Sequence, residues 1–144
     1  MSQIIIMPLV AGLVAEALKF LIPGNQRSLS TKDLFSYSGM PSGHAAIVSS
    51  LAVIIGFQEG FNSSLFGLSL IFAALVLRDA IGLRQYLGHH GAVLNILIKD
   101  LRDDDVLQEH YPHLREHVGH TKTQVLAGII VGSAVSCLGY IIFK

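Results

Sequence analysis

Charge is scarce in this sequence. Only 14% of its 144 residues are Asp, Glu, Lys or Arg, where an average soluble domain carries about a quarter, so an ordinary water-soluble globule is excluded. An excess of either sign is also lacking, with 10 Lys+Arg against 10 Asp+Glu. A nucleic-acid partner is therefore not expected, because the basic footprint such a partner requires is missing. Disorder is excluded by the 51% hydrophobic content, since it is polar, highly charged chains that fail to bury a core. Cysteine is reduced to Cys137 alone, which can form no intramolecular disulfide and reads as a small apolar residue within an apolar run.

What the chain does have is four apolar segments separated by clustered charge. Ile4 to Ile22 is apolar except for Glu16 and Lys19, long enough at about 1.5 Å per residue to nearly cross a bilayer core. It lacks a basic leader and a small-residue cleavage site, and so reads as a retained span and not a signal peptide. Ala45 to Phe57 and Leu65 to Leu77 are shorter, the second ending in Arg78-Asp79; these predict helices buried among neighbours or tilted. Val125 to Phe143 is uncharged for 19 residues and is the clearest span. The fold predicted is all-α: one membrane-embedded domain over residues 1–144, with about four spanning helices plus short interfacial ones. The connection from Leu83 to Thr123 is polar and histidine-rich, with an amphipathic piece at Val93 to Leu101. The last span carries Gly128 and Gly132 at the spacing that lets helices approach closely in lipid, which predicts a packing face, within the bundle or between copies in a homo-oligomer.

If all four segments cross, the connections Pro23–Gly39 and Leu83–Thr123 share one side. That side holds Arg27, Lys32, Arg84, Lys99, Arg102, Arg115 and Lys122, against Lys144 opposite. The positive-inside rule puts it in the cytoplasm, which predicts an inner-membrane protein with a cytoplasmic site.

Candidate chemistry gathers on that side. Pro41-Ser42-Gly43-His44 precedes an apolar helix: proline suits a first turn, Ser42 can cap, and the free amides of a helix start attract an anion such as phosphate. His120 stands at the entrance to the last span. Two histidines brought face to face across a phosphoryl group can act as nucleophile and general acid, with Lys19, Arg78, Arg84 and Arg115 available to neutralise its oxygens. Lysine or arginine at a membrane segment is costly enough that function is the default reading; a Glu16–Lys19 pair and a local Arg78–Asp79 neutralisation are the structural alternatives.

These motifs, Pro41-Ser42-Gly43-His44, Arg78-Asp79-Ala80-x-Gly82-x-Arg84, Leu94-Asn95 and Gly119-His120-Thr121-x-x-x-Val125-x-x-Gly128, resemble the divergent branch of the type-2 phosphatidic acid phosphatase superfamily, related to acid phosphatases and vanadium-dependent haloperoxidases. The resemblance runs in order from about Lys19 to Gly132. It implies a helical bundle that hydrolyses a lipid phosphomonoester or pyrophosphate through a phosphohistidine. It further implies His120 as nucleophile and His44 as acid, with Ser42, Gly43, Lys19 and Arg115 on the phosphate. Arg78 and Arg84 would replace contacts of the first motif, where Gln26 stands at the usual arginine position. The superfamily's acidic residue four positions after the nucleophile is Gln124 here; Glu116 and Asp79 are the carboxylates available in its place. Membrane lipids and a lipid phosphate are the implied partners, with no cofactor.

Two competing readings remain. His113-Leu114-Arg115-Glu116-His117 matches the inverted zinc-protease pattern, but no Asp or Glu follows Glu116 to complete a ligand set, and no metal is expected. Asp103-Asp104-Asp105 reads as solvated loop. The second reading, from a different class, is a catalytically inactive or structural bundle that binds a phosphorylated lipid or a partner helix.

Overall fold

A computed structural model describes residues 3–22, 39–100, 114, 116 and 118–143. The readings attached to Gln26, Arg27, Lys32, Arg102, Asp103 to Asp105, His113, Arg115 and His117 lie outside those residues. The described residues form five helices and no strand: α1 (Gln3–Leu21), α2 (Gly43–Glu59), α3 (Ser64–Ile81), α4 (Leu83–Asp100) and α5 (Lys122–Ile142). Each apolar segment became a helix. α1, α5 and the stretch beginning with α3 are long and apolar enough to cross a membrane, while α2 is a shorter apolar helix.

Local chemistry sets the ends. Ser42, Ser63 and Thr121 are N-caps whose hydroxyls accept from Ala45, Phe66 and Gln124 amides respectively, satisfying donors that a helix start leaves open. α2 ends at Gly60, whose φ of 90° favours glycine. One difference from the sequence reading concerns Leu83 onward: in place of a mostly polar connection there is an 18-residue helix, α4, beginning immediately after Gly82. Val93 to Asp100 of the amphipathic pattern belong to its C-terminal half. The N-terminal half is diluted by Gly88, His89, His90 and Gly91, which mask the helical period.

α2 is the central helix, packed most extensively against α5 and then against α1 and α3. Its interfaces are built from small residues. Ala11, Ala15 and Ala46 form one buried cluster; Ala45, Ala80 and Val125 form another. A methyl placed on Gly128 would collide with the Ser42 carbonyl, and one on Gly132 with the Ala46 carbonyl and the Ser49 hydroxyl. The Gly128/Gly132 face is thus occupied by α2 of the same chain. Hydroxyls reinforce the seam: Ser136 Oγ donates to the Ser50 carbonyl (2.8 Å), so its 2.6 Å contact with Ser50 Oγ has Ser50 as donor. Among the described residues no buried side-chain N or O lacks a partner, as a medium without water demands.

Large apolar side chains lie outside, with Leu13, Leu68, Ile71 and Ile141 all more than 60% exposed, which is the arrangement a lipid solvent favours. At one end of the bundle, Gln58 Nε2 donates to Gln3 Oε1 and Gln3 Nε2 donates to the Phe143 carbonyl (2.7 and 2.9 Å), with Phe57 stacked on Tyr140. The starts of α2 and α5, and hence His44 and His120, are at the other end.

Gly132→Ala is expected to destabilise the protein by about 1–3 kcal/mol through overpacking, lowering the thermal midpoint in detergent. Gly67→Ala, with nothing within 4 Å of the new methyl, should leave it unchanged; equal behaviour of the two variants would contradict the packing described.

Candidate active site

The two histidine motifs are joined directly. The Ser42 amide donates to the Gln124 carbonyl at 3.0 Å, tying the turn before α2 to the first turn of α5. Pro41, Ser42 and Gly43 are buried, and His44 on the first turn of α2 is exposed. Glu16 Oε1 lies against Gly43, where a Cβ would approach it to 2.9 Å.

His120 is held on its backbone from two sides. Its amide donates to the Ala80 carbonyl at 3.1 Å and its carbonyl accepts from Gln85 Nε2 at 2.9 Å. Gly119 before it has φ of 99° and packs against the Arg84–Gln85 backbone, two independent reasons for glycine. The imidazole is buried, 2% exposed, and its Nδ1 is 3.3 Å from Gln124 Oε1.

That contact determines the tautomer. Thr121 and Gln124 form a capping box in which the Thr121 amide donates to Gln124 Oε1 at 3.0 Å. A backbone N–H needs an acceptor, so the amide orientation of Gln124 is fixed with its carbonyl oxygen toward both Thr121 and His120. A carbonyl only accepts; Nδ1 therefore carries the proton and Nε2 holds the lone pair.

Electrostatics keep the ring neutral. His120 lies outside the spanning helices, and its pKa is lowered from the ordinary 6.5 by burial first, then by Lys19, His44 and Arg84, against the opposing Gln124 bond. The same neighbourhood encloses His44, on which Arg84, Lys19, Glu16 and Asp79 act. Lys19, 3% exposed, pairs with Glu16, and Arg84 Nε donates to Asp79 Oδ2 at 2.9 Å. Two imidazoles and two cations are thus gathered at one end of the bundle. Such a set can bind an oxyanion, offer a nitrogen lone pair to it and exchange protons with it.

Arg78 is exposed at the end of α3 and is not among the charges acting on either histidine. Arg115 lies outside the described residues. The Glu116 carboxylate accepts from Asn95 Nδ2 at 2.9 Å, while Asn95 also brackets the Leu114 amide and carbonyl. Asn95 and Glu16 were not singled out as site residues from sequence. Gln124 had a legible signal, the T-x-x-Q capping-box spacing ahead of an apolar run. No group of three or more His, Cys, Asp or Glu that could hold a metal ion occurs among the described residues.

Residues 1–135 match a protein family described as the Divergent PAP2 family. The chain is also 32% identical over 115 residues to an uncharacterized membrane protein, YuiD, of Bacillus subtilis (strain 168), covering 74% of this chain and 73% of that protein. No solved structure matches.

Histidine NMR in detergent should place the His120 pKa below 6.5, with the Nδ1–H tautomer present above it. The unfolded chain then takes up this proton first as pH falls, so the stability from neutral His120 is complete above 6.5 and lost progressively below it. A pKa at or above 6.5 would contradict the buried, cation-flanked setting.

Proposed function

The chain belongs to the Divergent PAP2 family, and from that premise we propose that it is a membrane phosphatase that cleaves a phosphorylated lipid through a phosphohistidine on His120. The observation that carries the reading is the Gln124 contact, which leaves Nε2 of a buried, neutral imidazole as the nucleophilic atom. Nε2 attacks phosphorus and a P–N bond forms as the P–O bond to the leaving oxygen breaks. His44, as imidazolium, gives that oxygen its proton. Water then attacks the phosphoryl group, its proton passes to the now neutral His44, and the P–N bond breaks to release phosphate and restore both rings.

Lys19, Arg84 and the Ser42-Gly43 helix start neutralise the phosphoryl oxygens. Asp79 holds the Arg84 guanidinium, and Glu16 holds the Lys19 ammonium. Arg115 and Arg78 are further cations on the same side; Glu116 serves by anchoring the segment that leads to His120. A lipid substrate is supported by the site's position at the end of lipid-facing helices. The bias of seven basic residues against one supports a cytoplasmic face.

One observation favours the alternative, a bundle that binds a phosphorylated lipid without turning it over. Gln124 is neutral, and cannot stabilise the charge that develops on the imidazolium as a carboxylate would.

Purified protein assayed for phosphate release from short-chain lipid phosphates separates the two readings. Turnover is expected, blocked by vanadate, retained in EDTA, abolished in His120→Ala, and declining on the acid side as His120 protonates. His44→Ala should slow release by about 10²–10⁴-fold for alkyl leaving groups and far less for a nitrophenol. Vanadate binding without release would establish the non-catalytic reading; undiminished activity in His120→Ala would overturn the mechanism.

A further inference from the structure

α4 has two faces with different occupants. On one face Arg84 and Gln85 lie against Gly119, Gly88 lies against the Glu116 carbonyl, and Asn95 holds Leu114 and Glu116. This face carries the strap that ends in His120, itself bonded to Gln85. At about 100° per residue, Leu83, Tyr86, Leu87, Val93, Leu94 and Leu97 fall together in a sector of about 120° on the opposite side. Each of these six is at least 47% exposed, with His90 the one polar interruption. Among the helices, α4 packs substantially against α3 alone.

Length decides what covers that face. The apolar stretch Ser64–Lys99 is 36 residues, about 54 Å if continuous, against a bilayer core of about 30 Å. α3 alone uses most of that thickness. At Gly82 the backbone leaves helical values (φ −99°, ψ −85°), so the helical path breaks after a length close to the thickness of the core. α3 likewise presents exposed large apolar side chains, among them Leu68, Ile71 and Leu75. An apolar stripe bearing a tyrosine, with Lys99 on the other side, is the pattern of a helix lying in the interface plane.

We propose that α4 is a membrane-docking helix. Its Leu83–Leu97 stripe rests on the acyl chains at the headgroup boundary, and its other face holds the His120 strap at headgroup depth. The docking itself does not depend on phosphatase chemistry. Its consequence rests on the function proposed above: a nucleophile fixed at that depth selects a phosphate attached to a membrane-resident lipid over one on a water-soluble ester.

The chain contains no tryptophan, so a single introduced indole reports its own surroundings. Tyr86→Trp and Leu94→Trp place it on the stripe, and Lys99→Trp places it on the strap-facing side. Full-length protein is reconstituted in phosphatidylethanolamine/phosphatidylglycerol vesicles with or without brominated acyl chains. At positions 86 and 94 brominated lipid should dim emission at least about 2-fold, and acrylamide should quench at least about 3-fold less than at position 99. Equal acrylamide quenching at all three positions would put α4 in water and overturn the proposal. Shielding of 86 and 94 from both quenchers, with a cross-linked dimer, would assign the stripe to a second copy and overturn it equally. Tyr86→Trp, a conservative exchange at an exposed position, keeps the test open if Leu94→Trp does not fold. No readout involves turnover, so failure here is distinguishable from failure of the phosphatase reading.

Discussion

The backbone-to-backbone approach of α2 and α5 is the contact on which the rest depends. Gly128 and Gly132 leave no side chain between the helices, so carbonyls of Ser42 and Ala46 lie where a methyl would be. At that separation the Ser42 amide reaches the Gln124 carbonyl. The turn that begins one helix and the turn that begins the other thereby become one unit, and His44 and His120 are carried on it. In lipid there is no water-driven gain from burying large apolar side chains, and close packing with interhelical hydrogen bonds takes over. The Ser50–Ser136 pair and the alanine clusters follow the same logic.

That packing puts small residues at the closest helix contacts, while most leucines face outward and Ile54 and Ile55 are buried on α2. It also explains how Lys19 is tolerated at 3% exposure. An ammonium removed from water needs a counter-charge, and Glu16 supplies it from one turn away on the same helix. A second ion pair, Arg84 with Asp79, is at the same end. Both pairs bring a cation to the histidines without leaving it uncompensated. The opposite end is held by neutral amides, Gln3 and Gln58.

His120 shows how a neutral residue can do part of what a carboxylate does. Orientation and tautomer need only a fixed acceptor, and Gln124 is fixed by the capping box it forms with Thr121. Stabilising positive charge on the ring needs negative charge, which an amide lacks. The lowered pKa of His120 is the expected result of that combination, with burial and nearby cations opposed only by a neutral hydrogen bond.

Much of this was legible in the residues alone. Apolar runs and their spacing determined the all-helical membrane fold, because backbone groups in lipid must be satisfied within each segment. The capping residues Ser42, Ser63 and Thr121 marked helix starts through chemistry that is local in sequence. The ordered motifs around His44, Arg84 and His120 named residues that the fold gathers at one end of the bundle. Only the tertiary structure decided which partners those groups have: that Gly128 and Gly132 accept α2 of the same chain, that Glu116 goes to Asn95 and Gln124 to His120, and that Arg84, not Arg78, acts on the histidines. Each of these depends on the rotation and depth of one helix against another, summed over many small contacts between residues far apart in the chain. Periodicity and spacing describe a helix by itself and carry no record of that alignment.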